Sequence, residues 1–206
     1  MTLWVGLIGK RDVGRSFWLL WVVLVGDTGT KMRATNTSRI LIVDYDPQWP
    51  KLFRHEAERI RAVLGSRVLQ IEHTGSTSVP GLAAKPIIDM ILAVTDSADE
   101  DTYVPELNGI GYQVHIREVN WHEHRMLTRP KPEINLHVFS SSSPEIDRIL
   151  VFRDWLRKNA ADRELYARTK LALAQREWKD VQDYADAKAP VIEEILERAR
   201  LNRTRR

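Results

Sequence analysis

Short apolar runs alternate along this chain with stretches in which apolar residues recur every three or four positions. Residues 68–71 and 87–94 form two such runs, and both are rich in branched side chains. Runs of this length and composition are typical of buried β-strands. Between them lies a polar turn at residues 75–78. The pattern therefore predicts two strands joined by a polar connection, with Asp89 interrupting the second strand.

The flanking segments up to residue 139 show both helical and alternating periods. We expect the first helical stretch to end at Gly65, because glycine commonly follows the last turn of a helix. A hairpin is expected to turn at Pro130 and Lys131. In chain order we predict a lead-in strand over residues 40–43, helices over 52–64 and 96–107, a strand over 112–116, and hairpin strands over 123–128 and 134–139.

From Pro144 onward the pattern is helical. Apolar residues at helical spacing mark three segments, over residues 146–156, 165–178 and 191–199. Pro190 is expected in the first turn of the last helix, where proline is tolerated. All the elements together predict a mixed α/β (α+β) fold, in which a mixed sheet is followed by a helical C-terminal part.

The first 38 residues do not share this pattern and are expected to form an extension. Basic residues precede an apolar segment over residues 17–25, an order that imitates a secretory signal. The apolar segment is far shorter than the ~20 residues that a membrane-spanning helix needs. A disordered extension, a targeting segment and spurious translation upstream of Met32 all stay open. We expect an extension over residues 1–38, a folded domain over 39–201 and a basic tail over 202–206.

The composition excludes several classes of functional site. The 206 residues are 43% hydrophobic and 29% charged, as in ordinary globular domains. Without cysteine the chain has no disulfide, zinc–thiolate site or cysteine nucleophile. The net charge of +3 is small, and no basic stripe alternates with aromatic residues, so nucleic-acid binding is not expected. We expect a cytoplasmic protein without a stable membrane span.

The polar turn is the first candidate for chemistry. Gly75 allows the backbone to approach an anion closely. Hydroxyl and ammonium groups that could hold a phosphate follow at Ser76, Thr77, Ser78 and Lys85. The run lacks both the ending of a P-loop and the glycine spacing of a dinucleotide fingerprint. Spacing alone leaves two interpretations: a phosphate site, or a connection whose hydroxyls cap the backbone.

Residues 73–89 resemble the signature of the GrpB family. The resemblance extends to segments 45–50, 135–139, 152–156 and 184–188, and so covers most of residues 40–199. The family is similar in fold to polymerase-β-like nucleotidyltransferases, so the resemblance implies such a core. It also implies that the ligand is a nucleotide or another phosphorylated small molecule.

The superfamily pattern uses two acids at alternate positions of one strand and a third acid on a neighbouring strand to hold two Mg²⁺ ions. The resemblance puts Asp89 in the first acid position, but Ile91 occupies the second. The neighbouring strand carries Asn135 and His137 instead of an acid. What remains is one Mg²⁺ or Mn²⁺ ion held by Asp89 and His137 with substrate phosphates, or a reaction without metal.

His137 gains neighbours if the hairpin turns as predicted. His124 then lies opposite His137, with His122 on the same face of the sheet. These imidazoles could bind a transition metal, and the alternative is a polar sheet face lining the same cleft as Asp89. We also expect His137 to assist proton transfer, with a hydrogen bond to Asp89.

The helical part supplies cations that could neutralise phosphate, namely Arg153, Lys170 and Lys188. The alternatives are an ion pair of Arg153 with a neighbouring aspartate, and an exposed helix face for Lys170. Lys188 is expected just before a helix that starts at Pro190, where a cation needs an anion beside it.

Two functions follow from these residues. The first is a domain that binds a phosphorylated small molecule and transfers a nucleotidyl or phosphoryl group. The second is a binding or interaction module that retains the fold but lacks the metal-binding acid pair, and Ile91 favours it.

Overall fold

In the computed structural model, one five-stranded mixed sheet lies between two groups of helices. The structure describes residues 40–178 and 181–204, without the side chains of residues 181 and 182. The expected extension over residues 1–38 and the end of the expected tail, residues 205–206, lie outside the described residues. The sheet and the helices that follow it confirm the mixed α/β fold class.

The sheet has the strand order β1-β2-β5-β4-β3. Its strands are β1 (Gln70–Thr74), β2 (Ile88–Val94), β3 (Gln113–Glu118), β4 (His124–Pro130) and β5 (Glu133–Ser140). Strands β2 and β5 are parallel, and the other neighbours are antiparallel. The parallel register sets Asp89 beside Asn135 and Ile91 beside His137.

Two groups of helices cover the two faces of the sheet. The helices are α1 (Trp49–Leu64), α2 (Val104–Gly109), α3 (Pro144–Lys158), α4 (Ala160–Ala174) and α5 (Val181–Thr204). Helices α1 and α2 pack on one face over an apolar core that includes Ile60, Leu92 and Leu127. On the opposite face, Ile146 of α3 packs against Ile91 and Phe139. The candidate residues Asp89 and His137 also belong to this second face.

The last helix differs from the prediction. Pro190 lies inside α5 rather than in a first turn, and Lys188 is therefore a mid-helix residue. A proline inside a helix removes one backbone hydrogen bond and costs ~3 kcal/mol or more. The packing of α5 offsets this cost, because Tyr184 before the proline and Ile195 after it are both buried. The helix also continues to Thr204, into the segment expected as a tail.

Several other boundaries also differ from the expected ones. Residues 40–43 form no strand, only a bridge between Val43 and Ala84. The expected helix over residues 96–107 is reduced to a 3₁₀ turn and the short α2. Trp178 lies beyond the end of α4, and its indole donates to the Leu173 carbonyl (2.8 Å). Among the described residues, no helix is both long and apolar enough to cross a membrane.

The hairpin turn is displaced from its predicted position. Pro130 pairs with Glu133, so the turn is Lys131–Pro132, and Met126 rather than His124 lies opposite His137. The displacement shifts the pairing by two residues, which preserves the alternation of side chains between the two faces. His124 therefore stays on the face of His137 as a diagonal neighbour.

Candidate functional site

The site is built around the close approach of Gly75 to Asp89. Gly75 follows β1 with φ +63° and ψ −171°, a conformation that only glycine adopts readily. A Cβ atom at this position would overlap the Asp89 carboxylate. The absence of a side chain at Gly75 therefore lets the polar turn lie directly against the acid of β2.

Asp89 is the acid that interrupts the apolar strand, as predicted. Asn135 Nδ2 donates a hydrogen bond to its Oδ1 (2.9 Å). Burial raises the pKa of Asp89 to about 6, against the opposing effects of the Asn135 hydrogen bond and of Lys188 and Lys85. The buried Oδ1 of Asn135 has no hydrogen-bond partner among the described residues. Such an oxygen can accept a hydrogen bond from a bound molecule.

Two cavities meet at this acid. The first, here called the lysine cavity, covers about 450 Å³, open solvent included, and its lining includes Thr77, Lys85, Lys170, Tyr184 and Lys188. The second, here called the apolar cleft, encloses about 790 Å³, open solvent included, and its lining includes Val79, His137, Phe139, Phe152, Ile192 and Leu196. Ser76, Asp89 and Tyr166 line both cavities. A molecule longer than either cavity could therefore span both of them at Asp89.

The lysine cavity collects positive charge inside the protein. Lys170 and Lys188 are only 3% and 5% exposed. Burial lowers the pKa of Lys170 to about 7, assisted by the positive charge of Lys188. Burial also lowers the pKa of Lys188 to about 8, although Asp89 opposes the effect. The pKa of Lys85 is lowered for the same reason, against Glu133 and Asp89.

Each buried lysine carries a tyrosine four residues before it on the same helix. The Lys170 ammonium lies 4.9 Å from the Tyr166 ring centre, and that of Lys188 lies 4.4 Å from the Tyr184 ring centre. Residues four apart share one face of a helix, so the repeated Tyr-x-x-x-Lys spacing was the available signal. The tyrosines were not predicted as site residues. The Tyr166 hydroxyl is buried and interacts with Ser76, the residue that accepts the Lys170 hydrogen bond.

The predicted hydroxyls have separate roles in the turn. Ser76 Oγ accepts a hydrogen bond from Lys170 Nζ (2.9 Å), which also donates to the Ala83 carbonyl (2.6 Å). Thr77 lines the lysine cavity but donates its hydroxyl to the Ile87 carbonyl (3.0 Å). Ser78 donates to the Gly75 carbonyl (2.7 Å) and lines neither cavity.

Arg153 lies in the wall of the apolar cleft, away from the lysines. Its guanidinium donates to Glu72 (2.7 Å), to Asp154 (2.8 Å) and to the His73 carbonyl (3.0 Å). These bonds tie α3 to β1, and they include the ion pair with Asp154 that was the alternative interpretation. The structure thus brings Lys85, Lys170 and Lys188 together, and it leaves Arg153 in structural contacts.

The histidines form a chain across the sheet. His137 Nδ1 lies 3.0 Å from His124 Nε2, and His124 Nδ1 lies 2.9 Å from Glu118 Oε2. Both ring nitrogens of His124 are therefore within hydrogen bonds, which leaves no lone pair for a metal ion. His122 lies in the turn before β4 with φ 53°, not on the strand. Within the described part of the chain, no group of three or more His, Cys, Asp or Glu residues could hold a metal ion.

The second acid position does not fit a two-metal centre. Ile91 is fully buried in an apolar cluster with Ala93, Phe139 and Ile146. The residues around Asp89 include three lysines, whose charges repel a cation. Divalent ions prefer several oxygen ligands, and Asp89 is the one carboxylate among the described residues that line the lysine cavity.

Comparison with known proteins supports the resemblance noted from the sequence. A family model described as GrpB protein matches residues 39–198. A UPF0157 protein of Halalkalibacterium halodurans is 60% identical over 164 residues, 80% of this chain and 84% of that protein. The crystal structure of conserved protein GrpB from Enterococcus faecalis is 34% identical, with a TM-score of 0.67, over 77% of this chain and 98% of that one. A crystal structure of the Cid1 poly(U) polymerase is 12% identical, with a TM-score of 0.48, over 64% of this chain and 42% of that one.

Replacing Gly75 with a larger residue should destabilise the fold, because the added side chain would overlap Asp89. The Gly75→Ala substitution places a methyl group against the carboxylate in a conformation that only glycine adopts readily. We expect the free energy of unfolding, measured by urea denaturation, to fall by roughly 3 kcal/mol or more. Gly81→Ala is the matched control, because Gly81 also has positive φ (+76°) but open space around it, and should cost only about 1–2 kcal/mol. Equal losses for the two variants would contradict the proposed contact.

Proposed function

The chain belongs to the GrpB family, and we propose that it binds a nucleotide or another phosphorylated small molecule, with the phosphate groups in the lysine cavity. One observation carries this proposal. Lys85, Lys170 and Lys188 line one cavity, in which Asp89 is the one acidic side chain among the described lining residues. Buried charges are costly unless they are balanced, so three cations around one carboxylate favour an anionic ligand.

The lowered lysine pKa values support an anionic ligand rather than a cationic one. Burial and mutual repulsion already push Lys170 and Lys188 toward loss of their protons near neutral pH. A phosphate group would supply the opposite charge and accept charge-assisted hydrogen bonds from both ammonium groups. Ser76 adds a hydroxyl that lines the same space.

The rest of the ligand would occupy the apolar cleft. The cleft offers aromatic and aliphatic walls that include Phe139 and Phe152, and it joins the lysine cavity at Asp89. The Tyr166 hydroxyl lies at this junction beside Ser76, where a polar group of the ligand could bond it. A molecule with a phosphorylated end and an apolar or aromatic end, such as a nucleotide, matches this division.

Group transfer is the reaction that this arrangement favours. Asp89 would orient an acceptor hydroxyl next to the phosphates, because its carboxylate lies at the junction of the two cavities. The lysines would stabilise the charge that develops on the transferred nucleotidyl or phosphoryl group. His137 lines the cleft on the same face as Asp89 and would assist proton transfer.

Ile91 favours a second candidate function, a binding or interaction module without catalysis. The side chain at the second acid position is fully buried among apolar neighbours, so its position belongs to the core rather than to a metal site. Such a module would bind its ligand in the lysine cavity but would catalyse no reaction.

Binding of a simple polyphosphate tests the lysine cavity. Tripolyphosphate at a hundred times its dissociation constant should raise the melting temperature of the protein by about 5–10 °C. Lys170→Met and Lys188→Met should each weaken the affinity, measured by calorimetry, about tenfold or more, because each loses a charge-assisted hydrogen bond. Lys51→Met, at an exposed lysine of α1, should bind as the parent does. Unchanged affinity in both cavity variants would overturn the phosphate assignment.

The same binding should weaken as the pH rises. A bound polyanion favours the charged lysines and so raises their pKa values from about 7 for Lys170 and about 8 for Lys188. The complex therefore takes up protons, and the affinity for tripolyphosphate should fall between pH 7 and pH 9. Asp89 acts in the same direction near pH 6, since its ionised form repels the anion. Calorimetry in buffers of different ionisation enthalpy measures the uptake, and proton release on binding would contradict it.

Asp89→Asn distinguishes transfer from binding alone. The substitution removes the negative charge and keeps an oxygen that can accept the Asn135 hydrogen bond. If the domain catalyses transfer, water should react slowly in place of the acceptor, so that the parent converts nucleoside triphosphates with release of phosphate or pyrophosphate, tested with and without Mg²⁺ or Mn²⁺. The variant should be about a hundredfold slower while still binding tripolyphosphate. A parent that binds tripolyphosphate and releases neither product would support the binding module instead.

A further inference from the structure

Three ionisable side chains form a continuous hydrogen-bonded chain between the surface and the apolar cleft. Glu118 Oε2 lies 2.9 Å from His124 Nδ1, and His124 Nε2 lies 3.0 Å from His137 Nδ1. The Glu118 side chain is 24% exposed, whereas that of His124 is fully buried. His137 lines the cleft in which Asp89 also lies. The chain therefore reaches the outside at one end and the candidate site at the other.

The chain has two proton arrangements with the same heavy-atom positions. In the first, Glu118 is ionised, and each histidine carries its proton on Nδ1, so that His137 Nε2 is a base. In the second, Glu118 is protonated, and each histidine carries its proton on Nε2, so that His137 is an acid at that atom. A neutral imidazole donates from one nitrogen and accepts at the other, so both arrangements satisfy both bonds.

We infer that Glu118, His124 and His137 form a proton relay that removes a proton from a hydroxyl-bearing acceptor, bound at His137 beside the part of the ligand that occupies the apolar cleft, and delivers it to the surface. This inference rests on the proposed function, because the acceptor would attack the phosphorylated ligand in the lysine cavity. It adds the acceptor's chemical class, a hydroxyl compound, and it assigns Glu118 and His124 as positioning residues.

The relay accounts for each proton and each bond in the transfer step. The acceptor oxygen forms a bond to phosphorus as its proton passes to His137 Nε2, and the bond from phosphorus to the leaving phosphate oxygen breaks. The proton on His137 Nδ1 moves to His124 Nε2, and the proton on His124 Nδ1 moves to Glu118. The leaving group departs as an anion beside the lysines, and Glu118 releases its proton to solvent.

The surroundings favour a relay over a fixed structural network. Burial lowers the pKa of His124 to about 3 and that of His137 well below its ordinary value, so both rings stay neutral. Burial raises the pKa of Glu118 to about 7, which brings both proton arrangements within reach near neutral pH. Arg125, which Glu100 pairs at 2.6 Å, and His122 both disfavour a charged His124. On the cleft side, Glu145 and Arg148 of α3 line the same cavity as His137. Trp121 and Phe139 contribute ring contacts on His124 but no charge.

Nitrogen NMR of the imidazoles in the full chain tests the relay directly. We expect His124 and His137 to carry their protons on Nδ1 well above pH 7 and on Nε2 well below it. Both should switch together, with one midpoint near the Glu118 pKa of about 7. In Glu118→Gln the switch should be lost, because an amide cannot take up the proton. Glu58→Gln, at an exposed glutamate of α1, should switch as the parent does.

The outcomes separate this inference from the phosphate proposal. Tripolyphosphate affinity should be unchanged in Glu118→Gln, because Glu118 does not line the lysine cavity. A parent in which either histidine keeps one tautomer from pH 5.5 to pH 8.5 overturns the relay, even if Glu118→Gln fails to fold. A switch that persists in Glu118→Gln overturns it as well, and neither result affects the tripolyphosphate measurement. Loss of tripolyphosphate binding in the parent would instead remove the proposed function.

Discussion

The contact between Gly75 and Asp89 is the constraint on which the rest of the site depends. It fixes the polar turn against a carboxylate near the start of β2, and that carboxylate lines both cavities. The lysines approach from α4, α5 and the loop before β2, so their charges converge on one point.

The convergence of charge has an energetic consequence for the protein without ligand. Two nearly buried lysines lie beside one acid, and burial disfavours the charged form of each of these groups. Groups of this kind lower the stability of a fold and are usually retained at functional sites. The tyrosine rings of α4 and α5 compensate in part, because an aromatic face attracts a cation without carrying a charge.

The sequence was sufficient for features set by local pattern. The strands on both sides of the turn, the buried acid and the helical second half follow from periodicity, which reports what each residue must bury. Pro190 misled the prediction, because tertiary packing on both sides overrode the usual position of proline. The pairing of His124 with Glu118 depends on the register between β3 and β4, including an irregularity near Val114, and no spacing within one segment encodes it. The resemblance put Ile91 at the second acid position, and the structure shows that its side chain belongs to the apolar core.

Helix α5 lines both cavities, and Pro190 lies between the residues that line one cavity and those that line the other. Tyr184 and Lys188 before the proline line the lysine cavity, whereas Ile192 and Leu196 after it line the apolar cleft. Because proline removes a hydrogen bond from the helix, this is where α5 bends most easily. A bend at Pro190 would change the angle between the two walls that α5 contributes, one to each cavity.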